Sequence, residues 1–155
     1  MNFIRNIIGV AAGLLVAGLI ITLGIRMNPK WVTFDAFSPF KQWSNFLRSM
    51  QHEKGFFWFL LFISGLSTTV GGVVTAIIVK YGKAAYAILI GFIMLFIAVL
   101  DVVVFPYHPT FYKILIFLTF FPFSWIGGKI TEVIYKRREK RRIAAQMNEI
   151  KKTQP

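Results

Sequence analysis

Four stretches of this chain are apolar for about twenty residues each, enough for a helix to cross the roughly 30 Å hydrocarbon core of a bilayer. They cover about residues 7–25, 56–79, 84–105 and 111–128. Runs this long exceed what a buried helix of a small soluble domain needs. They leave one architecture, an all-α bundle of four transmembrane helices. Composition agrees: 56% of the 155 residues are hydrophobic and only 15% are charged, against about 25% charged in a soluble domain. A soluble monomer of this size could not cover so much apolar surface. The chain is neither polar enough for disorder nor periodic in glycine as collagen is.

The first run follows Arg5 and could be mistaken for a secretory signal. Its apolar core is longer than the 7–15 residues of a signal h-region, and Leu23-Gly24-Ile25-Arg26 lacks a small-x-small cleavage pattern. It is expected to stay as an uncleaved helix. Charge sets the orientation. Arg5, Lys80, Lys83, Lys129 and the eight bases of the tail lie on one side, twelve in all. Arg26, Lys30, Lys41, Arg48, Lys54 and Lys113 lie on the other. Both termini are therefore expected in the cytoplasm, with the protein in the plasma (bacterial inner) membrane.

The long connection, residues 26–55, places Trp31, Phe34, Phe37, Phe40, Trp43 and Phe46 three apart. Ser38-Pro39 reads as an N-cap followed by proline at the first helical position. From about 39 to 52, Phe40, Trp43, Phe46, Leu47 and Met50 share one helical face. Lys41, Gln42, Ser44, Asn45, Arg48 and Ser49 share the other. This predicts an amphipathic helix lying in the outer interface, as a structural lid or as a docking surface for lipid or a partner. Gly82 breaks the Lys80–Lys83 turn, and Pro106 and Pro109 bracket the turn between the third and fourth spans.

Asp101 is the only acidic residue inside a span. An ionised carboxylate at mid-bilayer costs at least about 2.5–3.5 kcal/mol, so such a group is normally paired or functional. With the hairpin turn centred near Tyr107–His108, residue 101 falls opposite 113. An Asp101–Lys113 ion pair is the structural expectation, and a proton- or cation-responsive carboxylate is the functional one.

Small residues recur on the spans: Ser64, Thr68, Gly72 and Ala76 at steps of four with Thr75 beside them, and Gly9, Gly13 and Ala17 on the first. Without a hydrophobic drive between helices in lipid, small residues mark faces where backbones approach. Helix packing is one reading of Ser64, Thr68, Gly72, Thr75, Gly9 and Gly13, and a polar path through the bundle is the other. Pro122 removes one ladder bond from the fourth span and predicts a kink. Residues 71–80 match 127–136 at five of ten positions, which fits a parallel two-plus-two repeat.

The tail, residues 136–155, packs Lys136, Arg137, Arg138, Lys140, Arg141 and Arg142 into seven positions. Ile143, Met147 and Ile150 follow at helical spacing. This predicts a helical extension of the fourth span whose cluster is drawn to anionic lipid by about 1 kcal/mol per base near the surface. Nothing in it signals nucleic-acid binding, which needs a fold or interleaved aromatics as well as charge.

Pro109-Thr110-Phe111-Tyr112, the run Pro122-Phe123-Ser124-Trp125-Ile126-Gly127-Gly128-Lys129, and Thr68-Thr69-Val70-Gly71-Gly72 form a recurring pattern. The chain thus resembles small four-helix bacterial integral membrane proteins that lack an established activity. In them a Pro-aromatic pair opens the fourth helix and a Pro-to-Gly-Gly run closes it. A histidine common at the entry to their second helix is absent, and Ser64-Gly65 occupies that neighbourhood. The resemblance covers the last two-thirds of the membrane region and implies the fold alone.

The chain has no cysteine and two histidines. Thiolate chemistry and cysteine-based metal sites are excluded. No nucleophile–base pair, phosphate loop or cofactor motif is present. A non-enzymatic role without cofactor is expected: a structural or accessory membrane protein packing with itself or a membrane partner. The competing expectation is a small oligomeric transporter or channel using Asp101.

Overall fold

The computed structural model describes residues 2–28 and 38–153, with side chains over 3–28 and 38–147. Among these residues the chain forms five helices and no strand: α1 (Asn2–Arg26), α2 (Pro39–Met50), α3 (Lys54–Ile78), α4 (Lys83–Val104) and α5 (Thr110–Thr153). Four of them, all but α2, are long and apolar enough to cross a membrane. Trp31, Phe34 and Phe37, half of the aromatic triplet series, lie outside the described residues.

α3 lies at the centre. α1 packs along one side of it and α5 along another, and α4 closes against α5 and α3. Its small-residue face explains the position. Ser64, Ser67, Thr68, Gly71, Gly72, Thr75 and Ala76 are all buried, whereas large side chains elsewhere on the spans, such as Phe62 and Phe96, are 63% exposed. A Cβ on Gly13 would overlap the Thr75 hydroxyl and come within 2.7 Å of the Gly71 carbonyl oxygen. A Cβ on Gly127 would likewise overlap the Thr69 carbonyl oxygen. Glycine is required at both because backbone faces backbone. Gly72 of α3 and Gly128 of α5 both close on Ala87 of α4, which joins three helices at one level.

The connections follow from local chemistry. Ser38 occupies the N-cap position of α2 with Pro39 at the helix start, but its side chain makes no cap hydrogen bond; the Ser38 carbonyl accepts from Gln42 N–H instead. Gly82 adopts φ +65°, the left-handed region open to glycine. That turn brings Lys83 back over the end of α3, where its Nζ donates to the Ala76 and Val79 carbonyls, both at 2.7 Å. These are carbonyls the helix itself leaves without partners.

α5 runs 44 residues, through Pro122 and on past residue 136 without interruption. At 1.5 Å per residue that is roughly 66 Å, about twice the bilayer core. The apolar segment and the basic tail are one continuous helix.

Gly13→Ala is expected to destabilise the bundle by about 1–3 kcal/mol, because the added methyl meets backbone that cannot yield. Gly18 has nothing within 4 Å of its Cβ position, so Gly18→Ala is expected to be neutral or slightly stabilising. Thermal unfolding of both variants in the same detergent measures the difference.

Candidate functional site

The one acidic side chain within the spans sits at the α2 end of the bundle, in the last turn of α4. Two donors face it. Trp43 of α2 donates its indole N–H to Asp101 Oδ1 at 2.6 Å. His108, from the turn before α5, brings Nε2 to 3.1 Å from Asp101 Oδ2. That contact lies off the line of a good hydrogen bond, and Nε2 is otherwise buried without a partner. His108 Nδ1 is 2.8 Å from the Phe105 carbonyl oxygen. A carbonyl only accepts, so Nδ1 carries a proton and donates.

Where the sequence reading expected Lys113, the partners that the described residues bring to Asp101 are Trp43 and His108. The turn curls His108 inward, with none of its side chain exposed, so it reaches the carboxylate before the opposite helix does. Aromatic rings fix it there. His108 stacks on Tyr112 at 5.0 Å, and Phe57 meets both rings edge-on at 5.6 and 5.5 Å. Phe56 links Phe57 to Phe46 of α2, each contact at 5.2 Å. The cluster binds α2, α3, α4 and α5 at one level. The Asp101 side chain remains 23% exposed, toward a groove of about 490 Å³ between α2 and α4 lined by Pro39, Phe40, Trp43, Leu100, Val104 and Phe105.

The span hydroxyls sit elsewhere and are bonded to carbonyls. Thr68 donates to Ser64 O at 2.7 Å, and Ser67 donates to the same oxygen at 2.8 Å. Thr69 bridges to Phe123 O of α5 at 3.0 Å, and Thr75 reaches Gly9 O of α1 at 3.0 Å. Gly9, Gly13, Gly72 and Thr75 thus meet at interfaces between helices. Ser64, Thr68 and Thr75 do not border the groove beside Asp101.

The tail cluster is presented openly. Lys136, Arg137, Arg138, Lys140, Arg141 and Arg142 are exposed, as is every described residue after them to 147. Among the described residues Glu132 holds Lys136 at 2.7 Å and also meets Lys129 at 3.4 Å. Among the described residues no three or more His, Asp or Glu side chains gather as a metal site would require.

Sequence reasoning missed Trp43 and His108. Trp43 is 58 residues from Asp101, beyond any local pattern. His108 was within reach: it lies in the turn that directly follows the helix bearing Asp101.

The architecture defines a helical protein with four membrane-compatible helices. No protein-family model, curated protein or solved structure matches the chain.

Trp43→Phe keeps the ring and removes the donor, leaving one carboxylate oxygen short of a partner. It is expected to cost about 1–3 kcal/mol. Lys113→Gln is expected to stay within about 0.5 kcal/mol of the parent. Thermal unfolding in detergent checks both, and the reverse order would restore the Lys113 pairing.

Proposed function

We propose that this chain is a structural or accessory multi-pass protein of the bacterial inner membrane, with both termini cytoplasmic, which packs with itself or with a membrane partner and rests its basic tail on anionic lipid. The observation that carries the reading is the disposition of polar groups in the spans. Thr68, Thr69 and Thr75 donate to backbone carbonyls, and Asp101 lies at one end, between Trp43 and His108. A transport path needs hydrated or charged groups at mid-depth and broken helices.

The tail fits the lipid contact at its near end. Lys136 begins about 12 Å beyond Gly128 by helical rise, within reach of the headgroups for a long side chain plus a Debye length of about 8 Å. Ile143 and Met147, 51% and 55% exposed, stand farther out on the same rod and offer an apolar stripe to a protein partner.

One observation favours a second reading, a small oligomeric transporter or channel: the Asp101 carboxylate is partly open to the groove between α2 and α4. The two readings separate in proteoliposomes carrying a pH-sensitive dye. The structural reading expects proton flux equal to protein-free vesicles and unchanged by Asp101→Asn. Flux that this substitution abolishes would establish the transporter. For orientation, a fluorescent protein fused to the C-terminus is expected to glow and an alkaline phosphatase fusion to stay inactive; an active phosphatase would reverse the topology.

A further inference from the structure

The end of the bundle opposite Asp101 gathers basic side chains, of which Lys129 and Lys136 share Glu132. Gly9 of α1 lies against Ile78 and Val79 of α3, so Arg5, one helical turn earlier, falls beside the turn that joins α3 to α4. Asn6 Nδ2 donates to the Tyr86 hydroxyl at 2.9 Å and ties this part of α1 to the first turn of α4. Lys83 opens α4 at that same turn. The Lys83 ammonium is held by the α3 carbonyls and sits 4.0 Å from the centre of the Tyr135 ring.

Arg5 is different. Its Nε and Nη2 are buried and bonded to nothing among the described residues. Leaving such donors unpaired is unfavourable. The described acids do not answer it. Glu132 is held by Lys129 and Lys136, Asp101 is bound at the other end, Glu53 precedes α3 at that same far end, and Glu139 lies out along the tail. Between α1 and α4 runs an apolar groove of about 330 Å³ lined by Ile7, Val10, Leu14, Tyr86 and Leu89; Asn6, the residue after Arg5, stands in its wall.

We propose that this corner is a discrete phospholipid site: the Arg5 guanidinium, reinforced by Lys83, takes the phosphate of an anionic lipid, and one acyl chain lies in the groove between α1 and α4. A guanidinium fork matches two phosphate oxygens at once. Arg5 is only half-buried, so rotation of its side chain carries the unpaired nitrogens to a headgroup at the groove mouth. A lipid satisfies both halves of the site, the unpaired donors and the open apolar cleft, whereas free phosphate satisfies one. The site is separate from the exposed tail cluster, which attracts lipid by diffuse charge.

Native mass spectrometry of the full chain in a neutral detergent, titrated with phosphatidylglycerol, tests this. Wild type is expected to retain one tightly held lipid. So is a variant with Lys136, Arg137, Arg138, Lys140, Arg141 and Arg142 all changed to glutamine. Arg5→Gln is expected to weaken that binding about tenfold, the scale of one lost charge-assisted pair. Val10→Trp, which fills the groove and leaves the headgroup contacts in place, is expected to weaken it comparably. The lipid-free melting temperature of each variant confirms that it is folded. The proposal is overturned if either folded variant binds like wild type, or if the tail variant alone loses the lipid. It is also overturned if inorganic phosphate raises the melting temperature as much as the lipid does, since the groove would then contribute nothing.

Discussion

Backbone-to-backbone contact around α3 is the interaction on which the rest of this structure depends. In lipid, an apolar side chain gains nothing by leaving the solvent for a neighbouring helix, so association must come from close packing and hydrogen bonds. Gly13 against Gly71 and Gly127 against Thr69 let α1 and α5 approach α3 until main chain meets main chain. At that separation a threonine on α3 reaches carbonyls on its neighbours, as Thr75 does to Gly9 and Thr69 to Phe123. The hydroxyls thus follow from the glycines: close approach makes the cross-helix bonds possible, and the bonds fix the register.

The α2 end is organised differently. There aromatic side chains fill the space between the helices: Phe46, Phe56 and Phe57 meet edge to face, Phe57 meets His108 and Tyr112 the same way, and those two rings stack on each other. Asp101 gives this cluster its direction. Trp43 anchors α2 to one carboxylate oxygen, and His108 draws the turn before α5 to the other. A carboxylate that would be costly alone in a bilayer becomes the point where three elements converge.

Much of this was legible in the chain itself. The four long helices could be read because apolar runs of about twenty residues mark them, and the α3 face could be read because Ser64, Thr68, Gly72 and Ala76 recur at steps of four. The partners of each face could not. Gly9 and Gly13 look alike in sequence, yet a Cβ on Gly9 meets only side chains while one on Gly13 meets the Gly71 carbonyl. The partner of Asp101 was missed because facing positions were counted across an idealised hairpin, whereas the turn itself folds inward. The matching segments 71–80 and 127–136 show the same limit. Gly72 and Gly128 both close on Ala87, but Thr75 bonds across to α1 while Thr131 bonds back to Gly127 of its own helix.

The central claim is that the interior of this bundle is packed and dry at mid-depth. Because the chain has no cysteine, single cysteines report water access without any background. Thr68→Cys, Thr75→Cys and, as exposed controls, His52→Cys and Lys80→Cys can be treated with a small water-soluble maleimide in membranes made permeable enough to reach both faces. The account predicts rapid labelling at 52 and 80 and none at 68 or 75 until the protein is unfolded. Labelling of position 68 or 75 in the folded protein would place water along α3 and contradict it.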